Sequence, residues 1–324
     1  MSKKKKIAII VISIILVLII AAATVMIYLF FGKGKTEKTE IDRSNLKGVE
    51  TDESIVAWMT YDENSTQQEL ITLAVKAYEN ACKLDQNCDY RRYDVDCSVT
   101  TMGTVRQYIT QIKNGEEFYR GEVQIPDDEQ EPIFKIILKA LKDQTFFNGQ
   151  YANMTEDKMV QIKTLEGISR SESGEISADL DKGTVEYKDK PYFNPAQEQK
   201  YTQTDFIIRV DTIKNVSITH DDEKGFYTLV FDIDVENKEA IAKPYENLSA
   251  NVENAKYTAV HETIELWDSG YFRYFRSEDQ WTGHVVVDVA AEIDYQTVFI
   301  YEEDKCNIDE CFGIEKLREE IAKQ

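Results

Sequence analysis

No cysteine precedes Cys82, so a lipid-modified cysteine at the end of an N-terminal export segment is excluded. The chain has five cysteines but no C-x-x-C pair, and only three histidines, which leaves it poor in metal-ligand sets. His261-Glu262 lacks a second histidine four residues after the first, so a zinc-protease helix is absent, and its surroundings alternate as a strand does. There is no G-x-S-x-G elbow, no P-loop and no dinucleotide fingerprint. Basic patches are missing too. Residues 1–35 hold six lysines and no acid, so the remainder carries 32 basic against 59 acidic residues, a formal net of −27. That charge repels phosphate backbones and anionic lipid surfaces, excludes nucleic acid as an expected partner and suits a solvated exterior domain. Neither catalysis nor a cofactor is expected.

What is present begins with an uncharged run of 25 residues, Ile7 to Phe31, interrupted only by Ser13 and Thr24. As a helix it spans about 37 Å, enough to cross a hydrocarbon core of about 30 Å with some tilt. Tyr28, Phe30 and Phe31 stand where an interfacial aromatic belt belongs. Lys3 to Lys6 precede the run and Lys33, Lys35 and Lys38 follow it. This four-to-three margin predicts a cytoplasmic N-terminus and an extracytoplasmic C-terminal domain at the cell membrane. A cleaved signal peptide ending near Ala21-Ala22-Ala23 is the alternative, but apolar residues continue through Val25 to Leu29 beyond the usual h-region.

The expected organisation is a basic tail (1–6), an anchor (7–31), a polar stalk (32–54), an α+β domain (55–305) and a C-terminal loop with a helical tail (306–324). Thr66-Gln67-Gln68-Glu69 is a capping-box pattern, and Leu70, Ala74, Ala77, Ala81 and Leu84 recur at helical spacing. The period then falls to two through Tyr93, Val95, Cys97 and Val99. Asn114-Gly115 predicts a hairpin between the next two strands. Pro132 to Leu141 reads as a helix, Asn148-Gly149 as a second turn and 165–200 as an irregular surface excursion. Strands return from Val216, with a helical stretch near 237–254. Further strands are expected at Tyr257–Trp267, Tyr271–Trp281, His284–Ile293 and Gln296–Tyr301. A helix followed by a long antiparallel meander thus occurs twice. A sheet this wide must curl as strand twist accumulates, and its concave side needs cover from helices or a ligand.

Thr66 to Leu84, the Asn114-Gly115 hairpin and Leu266-Trp267-Asp268-Ser269-Gly270-Tyr271-Phe272 together resemble, over roughly 66–303, the lipoprotein-carrier (LolA/LppX-like) half-barrel families of bacterial envelopes. The resemblance implies a helix-capped half-barrel enclosing an apolar cavity for acyl chains. The chain departs from these families in having a transmembrane anchor, which implies fixed binding or sensing in place of shuttling. Candidate ligand-binding residues are Ile264, Leu266, Trp267, Tyr271, Phe272, Tyr274, Phe275 and Trp281. Strict alternation puts Tyr271 and Phe275 on one side of their strand and Phe272 and Tyr274 on the other. The alternative for this aromatic cluster is ordinary core and rim packing.

Cys306 and Cys311 are close enough in sequence to close a short loop, and a bridge between them is weighed against five free thiols. Asp232 to Asn237 has acids on a strand, and Asp179 to Glu186 is a loop short of calcium ligands. Asn64, Asn153, Asn215 and Asn247 each open an N-x-[ST] pattern. The expectation is a membrane-anchored extracytoplasmic binding protein for an apolar or amphipathic ligand such as lipid. The alternatives are a protein-interaction or sensor module of an envelope complex, and a carboxylate-dependent glycan hydrolase.

Overall fold

The structure, a computed structural model, describes residues 40–51, 54–101, 104–126, 146–153, 158–164, 169–170, 176–177, 179–180, 184–188, 204–284 and 288–323. The expected anchor at 7–31 and the helix at Pro132–Leu141 lie outside these residues. No helix among the described residues is long and apolar enough to cross a membrane.

The class is α+β. The described helices are α1 (Gln67–Gln86), α2 (Ala242–Ser249) and α3 (Ile314–Ala322). The N-terminal half supplies β1 (Tyr90–Thr100), β2 (Thr104–Asn114), β3 (Glu117–Pro126), β4 (Phe146–Asn153) and β5 (Lys158–Thr164). The excursion at 165–200 contains the small hairpin β6 (Ser169–Arg170) and β7 (Ile176–Ser177), and then β8 (Thr184–Lys188). The C-terminal half supplies β9 (Ile213–Asp221), β10 (Phe226–Ile233), β11 (Glu253–Trp267), β12 (Phe272–His284) and β13 (Asp288–Ile300). Apart from β6 and β7, these strands form one antiparallel sheet in the order β8-β5-β4-β3-β2-β1-β13-β12-β11-β10-β9. The two meanders meet where β1 pairs with β13, Val95 opposite Thr297. Residues some two hundred positions apart therefore close the middle of the sheet.

Local signals explain most elements. Thr66 and Glu69 exchange side-chain-to-backbone hydrogen bonds as the capping box requires. Gly115 takes φ +56° in the β2–β3 turn, which L side chains adopt at a cost. Gln67 caps the edge strand β9 by bonding both the N–H and the C=O of Val216, which blunts an otherwise open ladder. Two expectations are corrected. The break expected between Ile293 and Gln296 is absent, because one strand, β13, runs through Asp294 and Tyr295, and His284 ends β12. Asn148-Gly149 is no turn; it lies inside β4, with Gly149 directly opposite Gly121 of β3. An added Cβ at Gly149 would come within 2.9 Å of the Phe147 ring, and one at Gly121 within 2.5 Å of the Tyr119 hydroxyl. The glycine pair leaves room for both aromatic side chains to lie along the sheet.

The apolar side of the sheet changes over at β2. Ile109 joins Tyr93, Val95, Leu229, Ile264 and Phe299 beneath α1. Ile112 faces the other way, joining Tyr119, Phe147, Tyr151 and Ile162 beneath α3. Each half of the sheet is thus covered on a different face. On the α3 side of the C-terminal half, residues from the expected stalk lie along the strands. Ile41 N donates to Gln296 Oε1 at 3.1 Å, and Arg43 bonds Glu265 at 2.6 Å with its guanidinium 4.3 Å from the Tyr274 ring centre.

Candidate functional site

The eight side chains expected to line an apolar cavity all have structural partners. Ile264, Leu266, Phe272 and Phe275 are completely buried under α1. Phe272 stacks on Phe299 at 4.9 Å and meets Tyr78 of α1 edge-on at 6.0 Å. Trp281 belongs to the same core. Trp267 packs on the opposite face against Phe226 and Arg273. Tyr274 donates to Gln296 Oε1 at 3.0 Å, and Tyr271 packs on Tyr301. The expected parity of the pairs fails because the β11–β12 register shifts between Glu265 and Leu266. The extra residue, Arg273, is half-turned to the far face, so Phe272 and Phe275 share the α1 side and Tyr274 does not.

The Cys306–Cys311 bridge is not formed: all five cysteines are free thiols. The Cys306 thiol donates to Ile300 O and the Cys311 thiol to Asn307 O, and burial pushes them up to about 11 and about 12 respectively. Asp232, in the run with superficial calcium spacing, is bonded by Asn215 and His261. Among the described residues no three His, Cys, Asp or Glu side chains converge on one point.

The described concavity of note is a cleft of about 210 Å³ on the α3 face, between β1–β4 and the turn at 307–312. Its floor follows from strand parity: Arg92 of β1, Tyr108 and Thr110 of β2, and Gly121 and Val123 of β3 share this face. Phe147, Cys311 and Phe312 add apolar wall, and Asn307 and Glu310 line the turn. Arg92 Nε lies 3.0 Å from both Asp94 oxygens, Thr110 donates to Asp94 at 3.2 Å, and Arg92 Nη1 donates to Lys305 O at 3.4 Å. Tyr119 donates to Phe312 O at 2.7 Å, and the Phe312 ring meets Phe147 edge-on at 4.5 Å. Asn307 donates to Glu310 at 3.1 Å.

Chemically the cleft offers an oriented guanidinium beside aromatic walls, and its one thiol is held protonated by burial. That suits non-covalent recognition of a small group with an apolar body and a polar end. Sequence inspection missed it because its residues come from four strands and a turn some two hundred residues from β1. The i, i+2 pairs Arg92/Asp94 and Tyr108/Thr110 were its only local traces. No protein-family model matches the chain, and no curated protein is detectably similar to it.

Proposed function

We propose that the chain is a membrane-tethered extracytoplasmic module that acts by binding, as a protein-interaction or sensor component of the cell envelope. The observation that carries this reading is the filled α1 face. Ile264, Leu266, Phe272 and Phe275, half of the residues that would have held an acyl chain, are completely buried against one another and against α1. The polar and aromatic cleft remains open beside the C-terminal turn. A lipid on the α1 face would have to displace Phe272, Phe275 and the helix above them. A single side chain or other amphipathic group of a partner fits the cleft without such a change.

The tether has a geometric consequence. If the anchor ends at Phe31, the nine residues 32–40 reach at most about 32 Å before the chain meets the sheet at Ile41. The face of β11–β13 along which Ile41 and Arg43 lie is then held near the bilayer.

The test is photo-crosslinking in intact cells, with a benzophenone amino acid at Phe312 or, separately, at Phe275. Specific adducts from Phe312 and none from Phe275 support the reading. Lipid adducts at Phe275, with uptake of a fluorescent fatty acid by the wild-type chain, restore the half-barrel lipid reading and sink this one.

A further inference from the structure

Glu262 of β11 is completely enclosed, on the face opposite the cleft. Its Oε1 accepts from Ser277 Oγ at 3.1 Å, and the same hydroxyl lies 2.7 Å from Asp279 Oδ1. One serine therefore joins two carboxyls. The Glu262 Oε2 atom is buried and has no hydrogen-bond partner among the described residues. A carboxylate so placed lacks both water and a counter-charge, which costs several kcal/mol unless something neutralises it.

Among the described residues the surroundings supply no free cation. From β10 the site meets Phe231 and Leu229, from β11 Val260 and Ile264, and from β13 Tyr295 and Ile293. Beyond them stand Cys97 of β1 and Tyr257 of β11, both protonated at neutral pH. The segment 204–208 packs over the site with Phe206 edge-on to Tyr257 at 5.4 Å, and the Thr204 side chain supports the Glu262 carboxyl. Asp205 next to it is taken by Lys243 of α2. The other nearby cations are engaged as well: Arg276, on the far face, with Asp294, and Arg120 with Glu122. Two carboxyls and two hydroxyls fall short of the six to eight oxygens that calcium takes. A proton needs no shell.

We infer that Glu262 and Asp279 form a proton-binding site that holds one proton between them at neutral pH and fastens the 204–208 segment over the sheet. Burial raises the Glu262 carboxyl well above the ordinary range, with Asp279 adding to it, and burial brings Asp279 to about 6. The sign follows directly. Both folded values lie above the unfolded ones, so the protonated pair favours the fold. The Asp279 part of that contribution is lost as pH rises through about 6, the Glu262 part only at higher pH, and both are regained on acidification. An exterior domain built this way tightens in an acidic medium and loosens its 204–208 segment in an alkaline one.

The experiment uses the full chain in lipid nanodiscs. Thermal unfolding of wild type, Glu262→Gln and Asp279→Asn is followed from about pH 5 to about pH 8, beside infrared difference spectra of the carboxyl C=O band. Glutamine imitates the protonated acid. Glu262→Gln should therefore unfold above wild type at the alkaline end, and the gap should close on acidification. The wild-type spectrum should show a protonated carboxyl at neutral pH that Glu262→Gln lacks, and a titration step near 6 that Asp279→Asn lacks. Protection against hydrogen exchange at 204–208, corrected for the intrinsic rise of exchange with pH, should fall through the same step in wild type alone. A pH-independent gap between the variants, or a wild-type spectrum with no protonated carboxyl at neutral pH, overturns the proposal. The wild-type spectrum and exchange decide it even where a variant fails to fold.

Discussion

Arg91 Nη1 lies 3.2 Å from Asp85 Oδ2, and both side chains are enclosed by the protein. Asp85 stands in the last turn of α1 and Arg91 in the first residues of β1, so the ion pair fastens the helix end to the middle of the sheet. The hydroxyls of Tyr93 and Tyr301 also donate to Asp85, which ties in the residue just after β13. Breaking a buried pair by removing one partner costs about 3–5 kcal/mol, because the remaining charge is stranded. Arg91→Met should lower the urea midpoint by that equivalent. Asp85→Leu with Arg91→Met should recover most of the loss, since neither charge is then buried. A single substitution costing under about 1 kcal/mol would mean that water reaches the pair.

The bulge at Arg273 separates two aromatic neighbours by consequence. Phe272→Ala and Phe275→Ala each remove a completely buried ring and should cost about 3–5 kcal/mol. Tyr274→Phe keeps its ring and loses only the bond to Gln296, a loss of about 1 kcal/mol. Denaturant unfolding of the three variants checks the register. A cost for Tyr274→Phe equal to that of the two alanines would place Tyr274 in the core and remove the bulge.

Five free thiols make a clean chemical forecast. Burial pushes Cys82, Cys88, Cys97 and Cys311 up to about 12 and Cys306 up to about 11. The thiolate is the reactive form, and at about pH 8 no more than roughly one in a thousand of each is ionised. Alkylation of the native protein should be slow. After denaturation without reductant, mass spectrometry should count five adducts. Three adducts, with the peptides of Cys306 and Cys311 joined, would restore the bridge that the sequence suggested.

Local chemistry was readable where one residue type has one use. Thr66 and Glu69 announce α1, Asn114-Gly115 turns β2 into β3, and the long alternations give β11 and β12. What could not be read was long-range or depended on a single inserted residue. Nothing near Val95 indicates that its cross-strand neighbour is Thr297 of β13. Strict parity assigned Phe272 to the face of Tyr274 because a bulge leaves no mark in a run of aromatics. Asn148-Gly149 has turn chemistry, yet its glycine serves a close approach by Phe147. The Glu262 carboxyl looked like one acid among many because its burial is created by β10, β12 and β13 together.

His220 gives the last expectation, with its sign fixed by two carboxylates. Its ring stacks on Tyr227 at 4.1 Å, its Nδ1 lies 2.8 Å from Asp222 and its Nε2 2.8 Å from Asp268. Partial burial pulls the imidazole down, but hydrogen bonding to Asp268 and Asp222 outweighs it and the net displacement is upward. A raised imidazolium stabilises the fold fully below its unfolded value of about 6.5, and the contribution fades as pH rises through the folded value. Asp268 sits in the β11–β12 turn and Asp222 in the β9–β10 turn, so the charged ring ties two neighbouring hairpin ends together. Asp222 is almost fully exposed and Asp268 much less so, which makes Asp268 the stronger partner. His220→Gln should therefore be less stable than wild type at about pH 5.5 and approach it by about pH 8. Asp268→Asn should reproduce most of that pattern, and Asp222→Asn little of it. Stability curves at several pH values decide the matter: a His220→Gln deficit that stays constant with pH would show that the ring acts through its stacking on Tyr227 and carries no charge.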